Sequence, residues 1–345
     1  MRVLVTGGSG FLGGHVVRLL LHDSTTTVAI ASRHPRFPVD VSDDYRISLY
    51  SLDLTLEDQL EAVFNDFKPH AVIHTASPSY LDTGRALLKI NVNGTKALLE
   101  VAKACEETKA FVFTSSNQAV VPTQEPISEG NARLWDETNA PNAYALSKAM
   151  AERIVTAANS EQLYTSIIRL PGIYGEYDTN FIPQLMSSMR RKEHKMQVGN
   201  DTKLFEFLYV KKAAEAHILA MKALLNPNTR DQAGGEAFFI SDGKPQRFFE
   251  FCRRFYAAAG SPVMPEETTR IPLPIMQVMA STAEWLYWVF TLGMVKPSLR
   301  RIGIDYLNTG CCWSLDKARR TLGYEPVDDQ EEVIKGTMEW AMKSL

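Results

Sequence analysis

The sequence predicts an α/β fold built on a doubly wound parallel sheet, and three observations lead there. Short β-branched runs alternate with longer amphipathic stretches through the first half of the chain. The runs are apolar throughout instead of alternating, as strands covered on both faces are. A glycine-rich turn, Thr6-Gly7-Gly8-Ser9-Gly10-Phe11-Leu12-Gly13, follows the first run directly.

Taken in order, Arg2–Thr6 (RVLVT) reads as a buried strand, with 15–22 in the helix after it. Thr27–Ser32 (TVAIAS) is a second strand. Leu56, Leu60, Val63, Phe64 and Phe67 recur at helical spacing. His70–Ser77 is a strand, 86–106 a long helix and Lys109–Ser116 another strand. A helix over Tyr144–Asn159 and a strand over Tyr164–Leu170 complete the series. After Gly175 the rhythm breaks, and proline and charge become frequent.

The 345 residues are 45% hydrophobic and 22% charged, the balance of an ordinary globular protein. The formal net charge of −3, with no long Lys/Arg stripe, gives nucleic acid no electrostatic footprint to bind. Met1 leads within two residues into an apolar run, so no secretory leader is expected. The four cysteines, Cys105, Cys252, Cys311 and Cys312, show neither CxxC nor framework spacing, which fits a reducing cytoplasmic compartment. The sequon matches Asn93-Gly94-Thr95 and Asn200-Asp201-Thr202 would then be idle. His70 and His74 have HxxxH spacing, but on a strand their rings would stand about 13 Å apart at ~3.3 Å per residue, so no metal is expected.

The glycine turn has chemical meaning in its strand–turn–helix setting. One glycine permits the tight turn, another lets backbone approach a pyrophosphate, and a third lets helix and strand pack closely. The helix N-terminus then offers free N–H groups to the anion. Both Gly8-x-Gly10-x-x-Gly13 and Gly7-x-x-Gly10-x-x-Gly13 fit this dinucleotide-binding pattern. The reader of the adenosine ribose comes at the end of the second strand, where a carboxylate suits NAD and an arginine suits the 2′-phosphate of NADP. Here stand Ser32 and Arg33, with Arg36 behind, so NADP(H) is favoured and NAD(H) left open. Residues 1–175 thus form a Rossmann domain, with 206–243 returning to pack on it. Residues 176–205 and 244–345 form a smaller, mostly C-terminal substrate-binding region.

Tyr144 and Lys148 lie four residues apart, on one face of a helix. A free tyrosine titrates near pH ~10, too high for a base at neutral pH. A neighbouring ammonium and a positive nicotinamide ring favour the phenolate, and a shift of about three units is worth roughly 4 kcal/mol. Upstream, Thr114-Ser115-Ser116 closes a parallel strand at its C-terminal end, where such sheets bind ligands. Ser116 can there polarise a substrate oxygen.

With these motifs the chain resembles the extended short-chain dehydrogenase/reductase superfamily, in particular its branch of 3β-hydroxysteroid and sterol-4-carboxylate 3-dehydrogenases. The resemblance covers TGGSGFLG (6–13), Asp53-Leu54, HTAS (74–77), NVNGT (91–95), FTSS (113–116), YALSK (144–148) and RLPGIYG (169–175). More specific are FLYVKKAAEAHILA (207–220), GEAFFISDG (235–243) and WSLDKARRTLGYEP (313–326). It implies Ser116, Tyr144 and Lys148 as catalytic residues, Tyr144 exchanging the proton and Lys148 also holding the nicotinamide ribose. It implies Asp53 at the adenine, Ala76 and Ser77 beside the cofactor, and Pro171, Gly172 and Ile173 against the nicotinamide. With Gly7, Gly10, Phe11, Leu12, Gly13, Ser32, Arg33, Leu54, Thr75, Tyr144 and Lys148 these make the expected cofactor site. Members that use NAD usually carry Asp where Ser32 stands, and Lys212 replaces a usual Asn.

Three function classes remain. The first is interconversion of a secondary alcohol and a ketone on a hydrophobic polycycle, a steroid, sterol or terpenoid, with isomerisation left open. The second is a nucleotide-sugar epimerase or dehydratase, and the third a non-catalytic dinucleotide sensor. Met276, Met279, Trp285, Trp288 and Phe290 favour the lipophilic substrate over a sugar diphosphate, and the Tyr/Lys pair speaks against a sensor. They belong to 271–295, a stretch nearly free of charge. It reads in three ways: a buried core helix, a lid over the substrate, or an interfacial membrane anchor, which would place the protein peripherally on the endoplasmic reticulum. A homodimer is left open. The Arg190-Arg191-Lys192 run with Lys195 reads as a solvated helix face, and Glu152 and Asp136 as structural or exposed.

Overall fold

The computed structural model describes residues 1–41, 44–292, 294–295, 297 and 299–344. Its first half alternates strand and helix: β1 (Arg2–Thr6), α1 (Phe11–Leu20), β2 (Thr27–Ser32), β3 (Ile47–Ser51), α2 (Glu57–Phe67) and β4 (Ala71–His74). Next come α3 (Gly84–Leu87), α4 (Thr95–Ala104), β5 (Ala110–Ser116), α5 (Ala143–Ala158) and β6 (Tyr164–Leu170). Between α3 and α4 the helix widens into a π-helical turn over Leu88–Gly94. Such turns are rare and gather at functional sites. The long helix read over 86–106 is therefore one helix interrupted in register. The strand β3 is not among the elements expected from continuously apolar runs; its alternating ISLYS is the pattern of a half-covered strand at the sheet edge.

Beyond β6 lie β7 (Gly172–Tyr174), α6 (Phe181–Arg190), β8 (Met196–Val198), β9 (Leu204–Phe205), β10 (Phe207–Tyr209), α7 (Val210–Leu225), α8 (Arg230–Ala233) and β11 (Glu236–Phe239). The chain ends through β12 (Gln246–Arg247), α9 (Phe248–Ala258), β13 (Thr269–Ile271), α10 (Leu273–Thr291), α11 (Arg301–Tyr306), α12 (Asp316–Leu322) and α13 (Gln330–Ser344).

Seven strands form one parallel sheet in the order β11-β6-β5-β4-β1-β2-β3. Reversal of strand order beside β1 is the switch point at which doubly wound sheets bind ligands. One face of the sheet packs on α1, α7 and α12, through residues such as Val16, Ala213 and Ala318. The other packs on α2, α4 and α5, through Leu60, Leu98 and Ala151. Every residue of β5 is buried, the apolar Ala110, Phe111, Val112 and Phe113 under both layers of helices and Thr114, Ser115 and Ser116 at its C-terminal end through hydrogen bonds. A separate aromatic cluster of Tyr174, Phe205, Phe207, Phe251 and Phe255 joins β7, β9, β10 and α9 to Ile334 and Met338 of α13.

Of the three readings of 271–295, the buried core helix is overturned, since only Ala280 of α10 is buried. The reason is lack of a partner on all but one side. Gln277 donates to Asp305 at 2.7 Å and Arg301 to Ser281 at 3.1 Å, so the polar side of α10 faces α11. Trp285, Trp288 and Phe290 stand 61, 64 and 80% exposed. No described helix is long and apolar enough to cross a membrane. Gly293 of the stretch lies outside the described residues.

Candidate active site

The glycine turn joins β1 to α1. Gly7 has φ of 73°, the left-handed region that favours glycine, and a Cβ there would stand 2.8 Å from the amide nitrogen of Ala76. Thr75 and Ala76 are drawn in by the Thr75 hydroxyl, which donates to the Thr6 carbonyl at 2.8 Å. No side chain caps α1 at Gly10, so its first N–H groups are free for an anion. Ser9 ties this turn to the end of β2, accepting from the Arg36 amide at 2.9 Å and donating to the Arg36 carbonyl at 3.1 Å. Beside that loop the Ser32 hydroxyl is buried without a hydrogen-bond partner among the described residues. Asp53 lies past β3, its carboxyl held below the usual range by hydrogen bonds from Thr55 and, more weakly, by the charges of Lys89 and Arg33. Leu54 packs against Gly94, where a Cβ would come within 3.1 Å of it. Close backbone approach at Gly7, free N–H groups at the start of α1 and an orphaned hydroxyl at the end of β2 fit a dinucleotide.

Ser116 ends β5 at the C-terminal edge of the sheet. Its hydroxyl accepts from the Gln118 amide and donates to Asn117 Oδ1, both at 3.2 Å. Asn142 caps α5 by accepting the Ala145 amide at 2.9 Å, which places Tyr144 in the first turn. One helical turn on, the Lys148 ammonium donates to the Thr114 carbonyl at 3.0 Å and stands 6.0 Å from the Tyr144 ring centroid. Burial lowers the Lys148 pKa to about 8, against the opposing pull of Glu152. Burial raises the Tyr144 phenol above its ordinary value, and only Ser116 pulls it back. The depressed phenol expected from the Tyr/Lys spacing is thus not a property of these protein groups alone, because the ammonium is engaged by a backbone carbonyl. Ser116, Tyr144, Pro171, Gly172 and Ile173 line one cavity of about 450 Å³, with Phe11 from the glycine turn at one side and Phe181, Phe207 and Phe248 among its apolar walls.

Several residues at the site were not picked out by sequence reasoning. Asn91, in the π-helical turn, accepts from the Ser77 hydroxyl at 2.9 Å and donates to Ser147 at 3.0 Å, tying the cofactor-side loop to α5. The NVNGT match carried its position but not its role. Glu152, left as structural or exposed, is fully buried and forms a 2.7 Å ion pair with Arg169, while Ser115 donates to it at 2.5 Å. Its place four residues after Lys148 was the available signal. Tyr80 meets Tyr144 edge-on at 6.4 Å. His74 is buried between the hydroxyls of Thr6 and Thr95, at 2.6 and 3.0 Å, and burial drops its pKa to about 3. His70 accepts the Arg2 amide at 2.9 Å. Among the described residues no group of three His, Cys, Asp or Glu could hold a metal ion.

A glycine cradle at the switch point, with serine, tyrosine and lysine converging at the C-terminal edge of β5, defines the extended short-chain dehydrogenase/reductase class. Solved structures of that class overlay the whole chain. They include a UDP-glucose 4-epimerase from Thermotoga maritima (TM-score 0.73, 21% identity, covering 100% of this chain and 99% of that one). Another is a dTDP-glucose 4,6-dehydratase from Bacillus anthracis in complex with NAD (TM-score 0.75, 18% identity, 100% and 97%). At such identities they define the fold alone. Residues 4–273 match the 3-beta hydroxysteroid dehydrogenase/isomerase family. A sterol-4-alpha-carboxylate 3-dehydrogenase (decarboxylating) of Gibberella zeae is 73% identical over 295 residues, 85% of this chain and 97% of that protein. Its namesake in Schizosaccharomyces pombe is 32% identical over 99% of this chain and 97% of that one. The chain belongs to the 3-beta hydroxysteroid dehydrogenase/isomerase family, and it is a nicotinamide-dependent oxidoreductase acting on CH–OH groups.

Proposed function

We propose that the protein oxidises the 3-hydroxyl of a sterol bearing a 4-carboxylate and releases the carboxylate as CO₂. One observation carries this reading: Ser116 and Tyr144 open into a cavity whose walls include Phe181, Phe207, Phe248 and Leu307, suited to a ring system. The name borne by the 73% identical relative supports it. A nicotinamide held between the glycine turn and residues 171–173 would supply the acceptor for the hydride of the carbinol carbon. Tyr144 as the phenolate takes the hydroxyl proton and becomes the neutral phenol, and Ser116 donates a hydrogen bond to the same oxygen. The Lys148 ammonium together with the oxidised ring's positive charge offsets the burial that otherwise holds the phenol protonated. The product ketone lies β to the carboxylate. The C–C bond then breaks, CO₂ leaves, and the electron pair moves to the ketone oxygen as an enolate, held by Ser116 and the Tyr144 hydroxyl until carbon is reprotonated. Incubation with a 4α-carboxysterol and oxidised dinucleotide should give reduced dinucleotide and a ketone lighter by CO₂, read by absorbance and mass spectrometry. Turnover of sugar nucleotides and none of sterols would replace this reading with an epimerase.

For the cofactor, the orphaned Ser32 hydroxyl and the exposed Arg33 support NADP(H) over NAD(H). Arg33→Ala should weaken NADPH about tenfold and leave NADH nearly unchanged by calorimetry. A wild type that binds NADH more tightly would refute the preference.

For the partner, the unpartnered aromatic side of α10 supports peripheral contact with a lipid surface that dissolves such a substrate, consistent with a place on the endoplasmic reticulum. Wild type should float with phosphatidylcholine/phosphatidylserine vesicles and W285A/W288A should not. A dimer that the double variant dissolves, without flotation, would put a second copy on that face instead.

A further inference from the structure

A sterol acid of roughly thirty heavy atoms needs a pocket at the middle of the usual range, about 300–1,000 Å³. The cavity at Tyr144 holds about 450 Å³, and its lining includes Pro171, Gly172 and Ile173, the residues the family resemblance sets against the nicotinamide. Part of that volume therefore belongs to the cofactor, and the rest is short for the whole substrate. Thr179, Asn180 and Gln184 make one side of this cavity polar.

A second cavity, of about 340 Å³, adjoins the first and shares Asn117, Gln118, Ile302 and Tyr306 with it. Ile302 and Tyr306 are four residues apart on α11, so one face of one short helix divides the two. The dividing Tyr306 hydroxyl is held by Asn117 Nδ2 at 3.4 Å, a long and weak bond that a ligand can displace. Beyond the divide Val120, Pro122, Trp135 and Pro141 form an apolar wall, with Asp305, Thr309 and Gly310 along the α11 side. Asn117 follows Ser116 directly, so the second cavity starts one residue from the hydroxyl that orients the substrate oxygen. Asn142, the cap of the helix carrying Tyr144, lies on its rim.

We infer that this second cavity is a subsite for the alkyl tail of the substrate, with Tyr306 as the side chain that yields to admit it and Trp135 as its far wall. The inference rests on the sterol reading above and adds where the molecule's apolar end lies. A chain at ring D would thus contribute to affinity and turnover, and compounds with the same nucleus and no chain would be poorer substrates.

The test uses the full-length protein, a steroid carrying a diazirine at the end of an eight-carbon chain, and the tail-less parent. After irradiation, peptide mapping should find the label on 118–122, 135–141 or 302–310. Trp135→Ala should lower kcat/KM for the tailed substrate about tenfold, leaving the tail-less substrate, NADPH affinity and Tm within about twofold or 2 °C. Label confined to α10 or to the glycine turn, or equal losses for both substrates, would overturn the subsite. Because labelling needs no turnover, correct labelling without oxidation would sink the sterol dehydrogenase reading and leave the subsite standing. Oxidation with label elsewhere does the reverse.

Discussion

Strand β5 and helix α10 are both largely apolar in sequence, yet every residue of the first is buried and only one of the second. Hydrophobic composition fixes what a segment gains by burial, about 25 cal/mol per Å² of apolar surface, but not which surface covers it. For β5 the cover is built by the same chain, since β4 and β6 flank it and helices lie over both faces. For α10 the described residues supply α11 along the polar side and, at its first turn, the loop at Gly199 beside Leu273. A contiguous exposed aromatic face of this kind marks a site of interaction more often than an accident of folding.

The sharpest separation of the two regions is functional. Tyr144→Phe, which removes only the hydroxyl proposed to transfer the proton, should cut kcat by ~10²–10⁴-fold. Dinucleotide affinity and vesicle flotation should both persist. Retention of near-wild-type kcat would remove Tyr144 from the chemistry. Next in size is a contrast in stability. Phe111 of β5 is fully buried, and Phe111→Ala should cost about 3–5 kcal/mol in urea denaturation. Trp288→Ala, at a site of comparable hydrophobicity, should stay within about 0.5 kcal/mol. Equal losses would mean that α10 is packed in solution and the comparison is wrong.

Periodicity made the sheet half legible because β1, β2, β4, β5 and β6 bury both faces and so must be continuously apolar. The same logic misses β3, whose exposed side chains alternate. Ser116, Tyr144 and Lys148 were legible through spacing and strand position, and the structure brings the first two to one cavity. What spacing could not reveal were long-range partners. Asn91 reaches Ser147 across 56 residues, and Arg169 reaches Glu152 from the neighbouring strand. Nor could it foretell that the Lys148 ammonium engages Thr114, since that depends on a backbone carbonyl that any residue supplies. The lid reading of 271–295 failed to see that α11 intervenes: Ile302, Gly303, Tyr306 and Leu307 line the cavity at Tyr144, and no residue of α10 does.

The smallest expected effect lies where the C-terminal half returns to the sheet. Glu206, between β9 and β10, is buried, and its carboxylate accepts the Trp313 amide at 3.3 Å. Burial lifts its pKa to about 7, with Ser241 and the Trp313 amide pulling back. In the unfolded chain the group titrates near its ordinary value of 4.5. The native state therefore keeps a proton that the unfolded chain has already lost between these values. The resulting stability is fully present below about 4.5 and is lost as pH rises through about 7. Above that the fold carries a buried carboxylate, whereas Glu206→Gln is neutral at every pH and retains an acceptor for Trp313. E206Q should thus gain about 1–2 kcal/mol on wild type between pH 5 and pH 8.5, the full shift of between two and three units being an upper bound at ~1.4 kcal/mol each. Groups remote from Glu206 cancel in the difference, whereas Asp242, whose charge raises the Glu206 pKa, adds a coupled contribution of its own. Urea denaturation at the two pH values reads it directly, and a pH-independent difference would show that Glu206 is already ionised at pH 5 or hydrated, and that the two halves meet less tightly than the sheet itself.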